Sequence, residues 1–161
     1  MEILEVDPEA SPLTSAFKLR WDVFLSFRGE DTRHTFTLNL FQALDTKGVQ
    51  VFKDNVLEEG DTLKEKLPEA ITYSSSSVAI ISKNYASSHW CLDELAMICD
   101  MGRPAFPVFY GVEPRDVRNQ KGPFEEHFGT LEKEYGVEKV GRWRKAMKIV
   151  GGKIGFVCNS R

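Results

Sequence analysis

Short apolar runs alternate along this chain with longer segments in which apolar residues recur at helical spacing. The runs predict five strands, at residues 22–27, 49–52, 78–82, 105–110 and 156–158. Between the first two runs, Phe36, Leu40 and Leu44 keep the period of an amphipathic helix. Because alternation of this kind is typical of parallel strands with helices on both faces, we expect an α/β domain.

A chain of 161 residues is long enough for one such domain with a sizeable core. We expect the flavodoxin-like three-layer sandwich, with a five-stranded parallel sheet in the order 2-1-3-4-5. The domain is expected to cover residues 20–159. Residues 1–19 mix acids, prolines and small polar residues, and we interpret them as a flexible lead-in.

Polar segments predict where several elements begin and end. Asp31 or Thr32 is expected to cap the first helix, since both side chains can accept a hydrogen bond from a first-turn N–H group. Gly48 is expected to end that helix. The serine run at 74–77 is expected to be a turn, and residues 111–122 are expected to be a polar loop.

Charge and cysteine content restrict the partners and the compartment. The chain has 21 Lys and Arg against 24 Asp and Glu, and the resulting charge of −3 argues against binding to nucleic acid or anionic membranes. Three cysteines are an odd number, and Cys91 and Cys99 would lie about 12 Å apart on one helix, too far to bridge. We expect free thiols in a reducing compartment, the cytoplasm or the nucleus.

Neither a membrane segment nor a metal site is expected. No apolar run approaches the length of a membrane span, and the acidic N-terminus is unlike a signal or transit peptide. The three histidines lie in separate segments and no C-x-x-C pair occurs, so zinc is not indicated.

The predicted strand order brings two loops together. In this order the carboxyl ends of the first and third strands are neighbours, and ligands bind at such switch points. The loops after these strands are residues 27–31 and 83–90, and Glu94 stands just behind the second. Ser87 or Ser88 is expected to cap a helix on which Trp90, Glu94 and Ile98 share one face.

Two interpretations of Glu94 remain open from the residues alone. A carboxylate on an apolar face beside a crevice is a candidate catalytic group. The alternative is structural, since the helix dipole favours acids in a first helical turn. Cys91 as a nucleophile is less favoured, because a helical cysteine on an apolar face is usually part of the core.

Several other chemistries lack their motif. The chain has no G-x-G-x-x-G after the first strand, no P-loop and no G-x-S-x-G elbow. A phospho-acceptor receiver domain shares the expected topology but needs an aspartate closing the third strand, where Ser82 and Lys83 stand here.

Four segments together resemble plant Toll/interleukin-1 receptor (TIR) domains. They are DVFLSFRGEDTR at 22–33, NYASSHWCLDEL at 84–95, PVFYGVEPRDVR at 107–118 and WRKAM at 143–147. The resemblance covers about residues 20–159. Plant TIR domains usually head intracellular immune receptors with a nucleotide-binding module and leucine-rich repeats, or stand alone.

The resemblance implies cleavage of NAD⁺ to nicotinamide and ADP-ribose-type products, with the glutamate of the W-C-L-x-E-L motif, Glu94, as the catalytic residue. NAD⁺ or NADP⁺ would be the substrate, and no cofactor is required. The residues expected to bind the substrate are Phe27, Arg28, Gly29, Asp31, Ser87, Ser88, Trp90 and Cys91. Nicotinamide leaves as a neutral molecule, so one carboxylate that stabilises the ribose oxocarbenium ion is sufficient.

Two of these assignments have structural alternatives. Arg28 can meet phosphate or ribose oxygens, or it can form an ion pair with Asp22 or Glu30. Trp90 can wall the pocket, or it can be a core aromatic that covers the start of the helix.

The resemblance also implies self-association, through the first and last helices and the 54–62 loop. Gly151 and Gly152 on the last helix are expected to allow close contact between copies. The chain departs from the family at Glu58-Glu59, where a basic residue is usual, and at Leu38-Asn39, where some relatives carry Ser-His. The connection at 100–103 is also short. A non-catalytic TIR adaptor is therefore the alternative function.

Overall fold

The computed structural model describes residues 19–52 and 61–159, with side chains from residue 67 onward in the second segment. Four parallel strands form one sheet in the order β1-β2-β3-β4: β1 (Trp21–Phe27), β2 (Ser74–Ile81), β3 (Ala105–Tyr110) and β4 (Phe156–Cys158). The helices are α1 (Gly29–Thr32), α2 (Phe36–Thr46), α3 (Asp61–Thr72), α4 (His89–Met101), α5 (Pro114–Asn119), α6 (Pro123–Tyr135) and α7 (Val137–Gly151). A 3₁₀ turn covers Tyr85–Ser87.

The predicted second strand is reduced to a single bridge in the described residues. Val51 pairs in parallel with Val23 on the outer edge of β1, and the Gln50 carbonyl accepts from the Asp22 N–H at 2.7 Å. The Phe52 ring stacks on Phe24, with centroids 5.8 Å apart. This segment therefore occupies the position predicted for strand two, and the parallel flavodoxin-like fold is confirmed with four strands and one bridge.

The serine run predicted as a turn is the first half of β2, so that prediction is wrong. The Ser75 and Ser76 hydroxyls donate to the Asp22 carbonyl oxygen at 2.9 and 2.8 Å, and Arg103 Nη1 donates to the Ser74 carbonyl oxygen at 2.8 Å. Hydrogen bonds to β1 and to the turn before β3 therefore stabilise this strand. The low apolar content of the serine run gives no sign of it.

Two other local predictions are also wrong. Asp31 and Thr32 lie inside the four-residue helix α1, and the N-cap of α2 is Thr35. The segment predicted as a polar loop contains α5, which begins at Pro114. The end of α2 is confirmed, because Gly48 follows it with φ +85°, a conformation that favours glycine.

The alternation of side chains along β1 sorts the core into two layers. Leu25 and Phe27 point toward α2, where they meet Phe36, Leu40 and Leu44 among others. Phe24 points to the opposite face and packs against α3. Ser26 is completely buried on the same face as Phe24, so the period of two directs its hydroxyl toward α4.

Gly151 joins α7 to α5 inside one molecule. It is buried, and a Cβ built on it would clash with the Arg118 backbone nitrogen. The expectation that Gly151 forms a contact between copies is therefore wrong, because the chain's own Arg118 backbone already occupies the space beside this glycine.

We predict that Gly151→Ala lowers the free energy of unfolding by about 1–3 kcal/mol, because the added methyl group overpacks the α5–α7 contact. Gly141→Ala on the same helix is the matched control, since Gly141 is exposed and nothing lies within 4 Å of its added Cβ. The control should be neutral or raise stability by up to about 1 kcal/mol, because alanine favours helix. Urea denaturation of both variants measures the difference, and equal stabilities would contradict the packing assignment.

Candidate functional site

The candidate site is built on α4. The helix begins after Ser88, whose Oγ accepts from the Cys91 N–H at 3.4 Å. The prediction that Ser87 or Ser88 caps the helix is therefore confirmed for Ser88. One stripe of α4 faces the core and contains Cys91, Leu92, Leu95 and Ala96.

The adjacent stripe of α4 faces a groove of about 220 Å³. Its members recur at i, i+3, i+4 and i+7, which places them on one helical face. The groove is lined from α4 by Trp90, Asp93, Glu94 and Met97, from α3 by Leu67, Pro68 and Ile71, and from α7 by Arg142. Glu94 is thus a carboxyl group among mostly apolar walls.

Three linked hydrogen bonds lead from Glu94 into the core. Ser26 Oγ lies 2.8 Å from Glu94 Oε1 and 2.6 Å from the Tyr85 hydroxyl. The Tyr85 hydroxyl lies 3.1 Å from the Cys91 carbonyl oxygen and donates to it. Ser26 and Tyr85 are completely buried, so these hydroxyls have only each other and the two neighbouring oxygens as partners in the described part of the chain.

Burial raises the pKa of Glu94 from its ordinary value of 4.5 to about 8. Within this net rise of the pKa, the hydrogen bond from Ser26 acts in the opposite direction, and the neighbouring carboxylate of Asp93 adds a smaller increase. At neutral pH the carboxyl group in the empty groove is therefore mainly protonated. A raised carboxyl pKa in a groove is a feature of functional sites, which favours the functional interpretation of Glu94.

Asp31 joins the two predicted loops. Its carboxylate accepts from Ser82 Oγ at 2.5 Å, from the Asn84 N–H at 3.1 Å and from Asn84 Nδ2 at 3.1 Å. The Cys91 thiol adds a second tie by donating to the Phe27 carbonyl oxygen at 3.5 Å. The loops after β1 and β2 therefore meet at one end of the sheet, as the switch-point argument predicts.

The remaining residues of the β1 loop take different positions. The Phe27 side chain is buried on the α2 face, away from Glu94. Arg28 pairs with Glu30 at 3.2 Å, and its buried Nε has no hydrogen-bond partner among the described residues. Gly29 begins α1, and a Cβ there would meet the flexible end of the Arg33 side chain. The ion-pair alternative for Arg28 thus applies to Glu30, whereas Asp22 accepts from the Gln50 N–H.

The other predicted lining residues lie in the 3₁₀ turn and at the start of α4. Ser87 is exposed and its hydroxyl donates to the Asn84 carbonyl oxygen at 2.7 Å. Trp90 is 41% exposed and lines the groove, so its interpretation as a core aromatic is wrong. Burial raises the pKa of the Cys91 thiol far above its usual range, so Cys91 is a protonated core residue rather than a nucleophile.

The sequence reasoning missed Ser26 and Tyr85. The available signal for Ser26 was a single serine inside the apolar run VFLSF at 23–27. Tyr85 stands inside the segment that was singled out, but nothing in its spacing shows that its hydroxyl reaches β1, 59 residues away.

The fold and this site define an α/β domain with a parallel sheet and, beside the switch point, a mostly apolar groove that contains a glutamate. A family model described as the TIR domain matches residues 20–160. The chain therefore belongs to the TIR domain family.

Its relatives include plant disease resistance proteins. The disease resistance protein RPV1 of Vitis rotundifolia is 47% identical over 140 residues, which are 84% of this chain and 10% of that protein. The TMV resistance protein N of Nicotiana glutinosa is 44% identical over 157 residues, which are 92% of this chain and 14% of that protein. The chain thus spans about one tenth to one seventh of the length of these relatives.

A solved structure of the same family has the same fold. The TIR domains in the structure of the activated Roq1 resistosome, which directly recognises the pathogen effector XopQ, are 43% identical to this chain. The alignment has a TM-score of 0.77 and covers 86% of this chain and 87% of that one.

The next two properties concern membrane spans and metal sites among the described residues. Across residues 19–52 and 61–159, no helix is long and apolar enough to cross a membrane. The same residues contain no group of three or more His, Cys, Asp or Glu side chains placed to hold a metal ion. The departure at Glu58-Glu59 lies outside the described residues.

We predict that Glu94→Gln stabilises the fold more as the pH rises. The folded pKa of about 8 lies above the ordinary 4.5, so Glu94 favours folding fully below pH 4.5 and loses this contribution as the pH rises through 8. Glutamine carries no charge at either pH, so the variant should gain up to about 4 kcal/mol over the parent between pH 5 and pH 9, at about 1.4 kcal/mol per pH unit until the folded pKa is passed. Urea unfolding across this range measures the gain, and a difference that does not vary with pH would contradict burial as the cause.

Proposed function

We propose that this chain is a plant immune-signalling TIR domain that cleaves NAD⁺, or NADP⁺, to nicotinamide and ADP-ribose-type products. The observation that supports it best is the Glu94 carboxyl group in the α3–α4 groove, beside the end of β1 that leads into Arg28. The immune role is supported by the relatives, which are named as disease resistance proteins.

The chemistry needs a carboxylate at the ribose. When the bond between the ribose carbon and the nicotinamide nitrogen breaks, its electron pair goes to nicotinamide and positive charge develops on the ribose. An ionised Glu94 in an apolar groove would stabilise that charge more strongly than it could in water. A water or hydroxyl oxygen then forms the new bond to the ribose carbon.

The bound substrate itself would favour ionisation of Glu94. The nicotinamide ring of NAD⁺ is cationic, and a positive charge near a carboxyl group lowers its pKa. The raised pKa in the empty groove and the charge of the substrate therefore oppose each other. Arg28 is proposed to meet the phosphate oxygens, since its guanidinium group pairs only with the exposed Glu30 side chain among the described residues.

We predict that Glu94→Ala and Glu94→Gln both lower kcat/KM for nicotinamide release by about 10²–10³-fold or more, because neither side chain can stabilise the developing charge. Glu126→Gln is the matched control, since it makes the same change on the exposed face of α6. Nicotinamide release is followed by chromatography, and circular dichroism verifies that each variant is folded.

A Glu94→Gln variant that is folded and as active as the parent would exclude Glu94 as the catalytic residue. If the parent chain releases no nicotinamide even when concentrated, the non-catalytic adaptor becomes the better assignment. The two outcomes are separable, because the first requires an active parent.

We further propose that the domain acts by self-association in the cytoplasm or the nucleus. The solved relative is described as an activated resistosome, which is an assembly, and α2 and α7 each present an exposed polar face. Of the two α2 residues predicted at the contact, Asn39 is exposed and Leu38 is half-buried. On α7 it is Lys148, since Arg144 is half-buried and bound to Glu132 at 2.9 Å.

We predict that nicotinamide release per mole of protein rises with protein concentration, because assembly of the competent form follows mass action. Lys148→Glu should lower this activity several-fold at a fixed concentration, since it reverses a charge on the proposed contact. Lys133→Glu on α6 is the control, with the same change on another exposed helix. A specific activity that stays constant over a wide dilution series would support a self-sufficient monomer instead.

A further inference from the structure

Counting protons along the Glu94 chain of hydrogen bonds distinguishes two states of the carboxyl group. The chain has three links: Glu94 to Ser26, Ser26 to Tyr85, and Tyr85 to the Cys91 carbonyl oxygen. Each link needs one proton, and the final oxygen can only accept. Ser26 and Tyr85 supply one hydroxyl proton each, so two protons are available when Glu94 is ionised.

A protonated Glu94 supplies the third proton and completes every link in one direction. Glu94 then donates to Ser26, Ser26 donates to Tyr85, and Tyr85 donates to the Cys91 carbonyl oxygen. An ionised Glu94 reverses the first two links, because Ser26 must donate to it and Tyr85 must donate to Ser26. Tyr85 then has no proton left for the Cys91 carbonyl oxygen, and that hydrogen bond is lost. If Tyr85 donates to Cys91 instead, the Ser26 and Tyr85 oxygens face each other at 2.6 Å without a proton between them.

We propose that Tyr85 is a positioning residue that keeps Glu94 protonated in the empty groove, because the chain of hydrogen bonds from Glu94 through Ser26 to Tyr85 and the Cys91 carbonyl oxygen is complete only when the carboxyl group is protonated. The link to catalysis rests on the proposed function, since Glu94 must lose this proton before it can stabilise a positive ribose. The proton would leave toward the groove as the cationic nicotinamide ring enters, so an empty site holds no unpaired buried charge.

The other ionisable groups around Glu94 do not provide the same control. On α4, Asp93 accepts from Trp143 Nε1 at 2.9 Å, and its charge adds to the effect of burial. From α7, Arg142 reaches the groove but is bound to Asp100 at 2.7 Å. The groove residues of α3 are the apolar Leu67, Pro68 and Ile71. Among the residues whose side chains the structure describes, the other ionisable groups near the site are Arg28 and Asp31 after β1, Tyr85 in the 3₁₀ turn and Cys91 on α4.

Tyr85→Phe and Ser26→Ala should move the pKa of Glu94 in opposite directions. Without the Tyr85 hydroxyl, a protonated Glu94 loses two links farther along the chain while an ionised Glu94 loses one, so the pKa should fall by about one unit. Without the Ser26 hydroxyl, the ionised form loses a charge-assisted donor while the protonated form loses only neutral hydrogen bonds, so the pKa should rise. The competing interpretation is that Ser26 donates to Glu94 in both states. Removing the Tyr85 hydroxyl would then only weaken Ser26 as a donor, and the pKa of Glu94 would rise or stay the same.

The test is a titration of the Glu94 carboxyl carbon by ¹³C NMR in the full chain, assigned by the loss of its signal in Glu94→Gln. A lower pKa in Tyr85→Phe together with a higher one in Ser26→Ala supports the proposal. An unchanged or higher pKa in Tyr85→Phe overturns it. This titration needs no substrate, so it succeeds or fails independently of NAD⁺ cleavage.

The unaltered chain provides a second measurement if Tyr85→Phe does not fold. Ionisation of Glu94 should remove the hydrogen bond from Tyr85 to the Cys91 carbonyl group. The Cys91 carbonyl ¹³C signal should then titrate with the same midpoint as Glu94 and shift more than the flanking Trp90 and Leu92 carbonyl signals. A Cys91 signal that moves no more than its neighbours would overturn the ordered chain. Where the parent is active, Tyr85→Phe should also move the acid limb of the kcat/KM profile to lower pH, which a purely structural role would not do.

Discussion

The register of the parallel pair β1–β2 determines where the polar groups of the site lie. Phe27 stands opposite Ile80, so both strands end at the same level and their following loops begin side by side. Asp31 from the first loop can then accept three hydrogen bonds from Ser82 and Asn84 in the second. A shift of one residue would turn Ser26 to the α2 face and remove it from Glu94.

The low polarity of the groove favours the uncharged form of the Glu94 carboxyl group. Burying an unpaired carboxylate is costly, and burial is the main cause of the raised pKa of Glu94. The same apolar walls that penalise its charge would strengthen its effect on positive charge at the ribose of the proposed substrate. Stability and the proposed chemistry therefore depend on one feature, the low polarity of the α3–α4 groove.

Helix α7 contacts both α4 and α5. Trp143 is completely buried, and its Nε1 donates to Asp93, the residue before Glu94. Gly151 at the end of the same helix allows α7 to lie directly against the Arg118 backbone. The prediction of an intermolecular contact at Gly151 failed because a small residue near a helix end looks the same whether the close neighbour belongs to another copy or to the same chain.

The sequence by itself determined the parallel α/β class, the limits of β3 at 105–110, a serine cap at Ser87 or Ser88 and the position of Glu94 beside a crevice, because these depend on local periodicity and chain order. Only the tertiary structure showed that the serine run is a strand, that Val51 forms one bridge, and that Ser26 and Tyr85 lie against Glu94. The physical reason is that hydrogen bonds between residues 59 and 68 positions apart depend on strand register and helix packing, and neither leaves a periodic pattern in the chain.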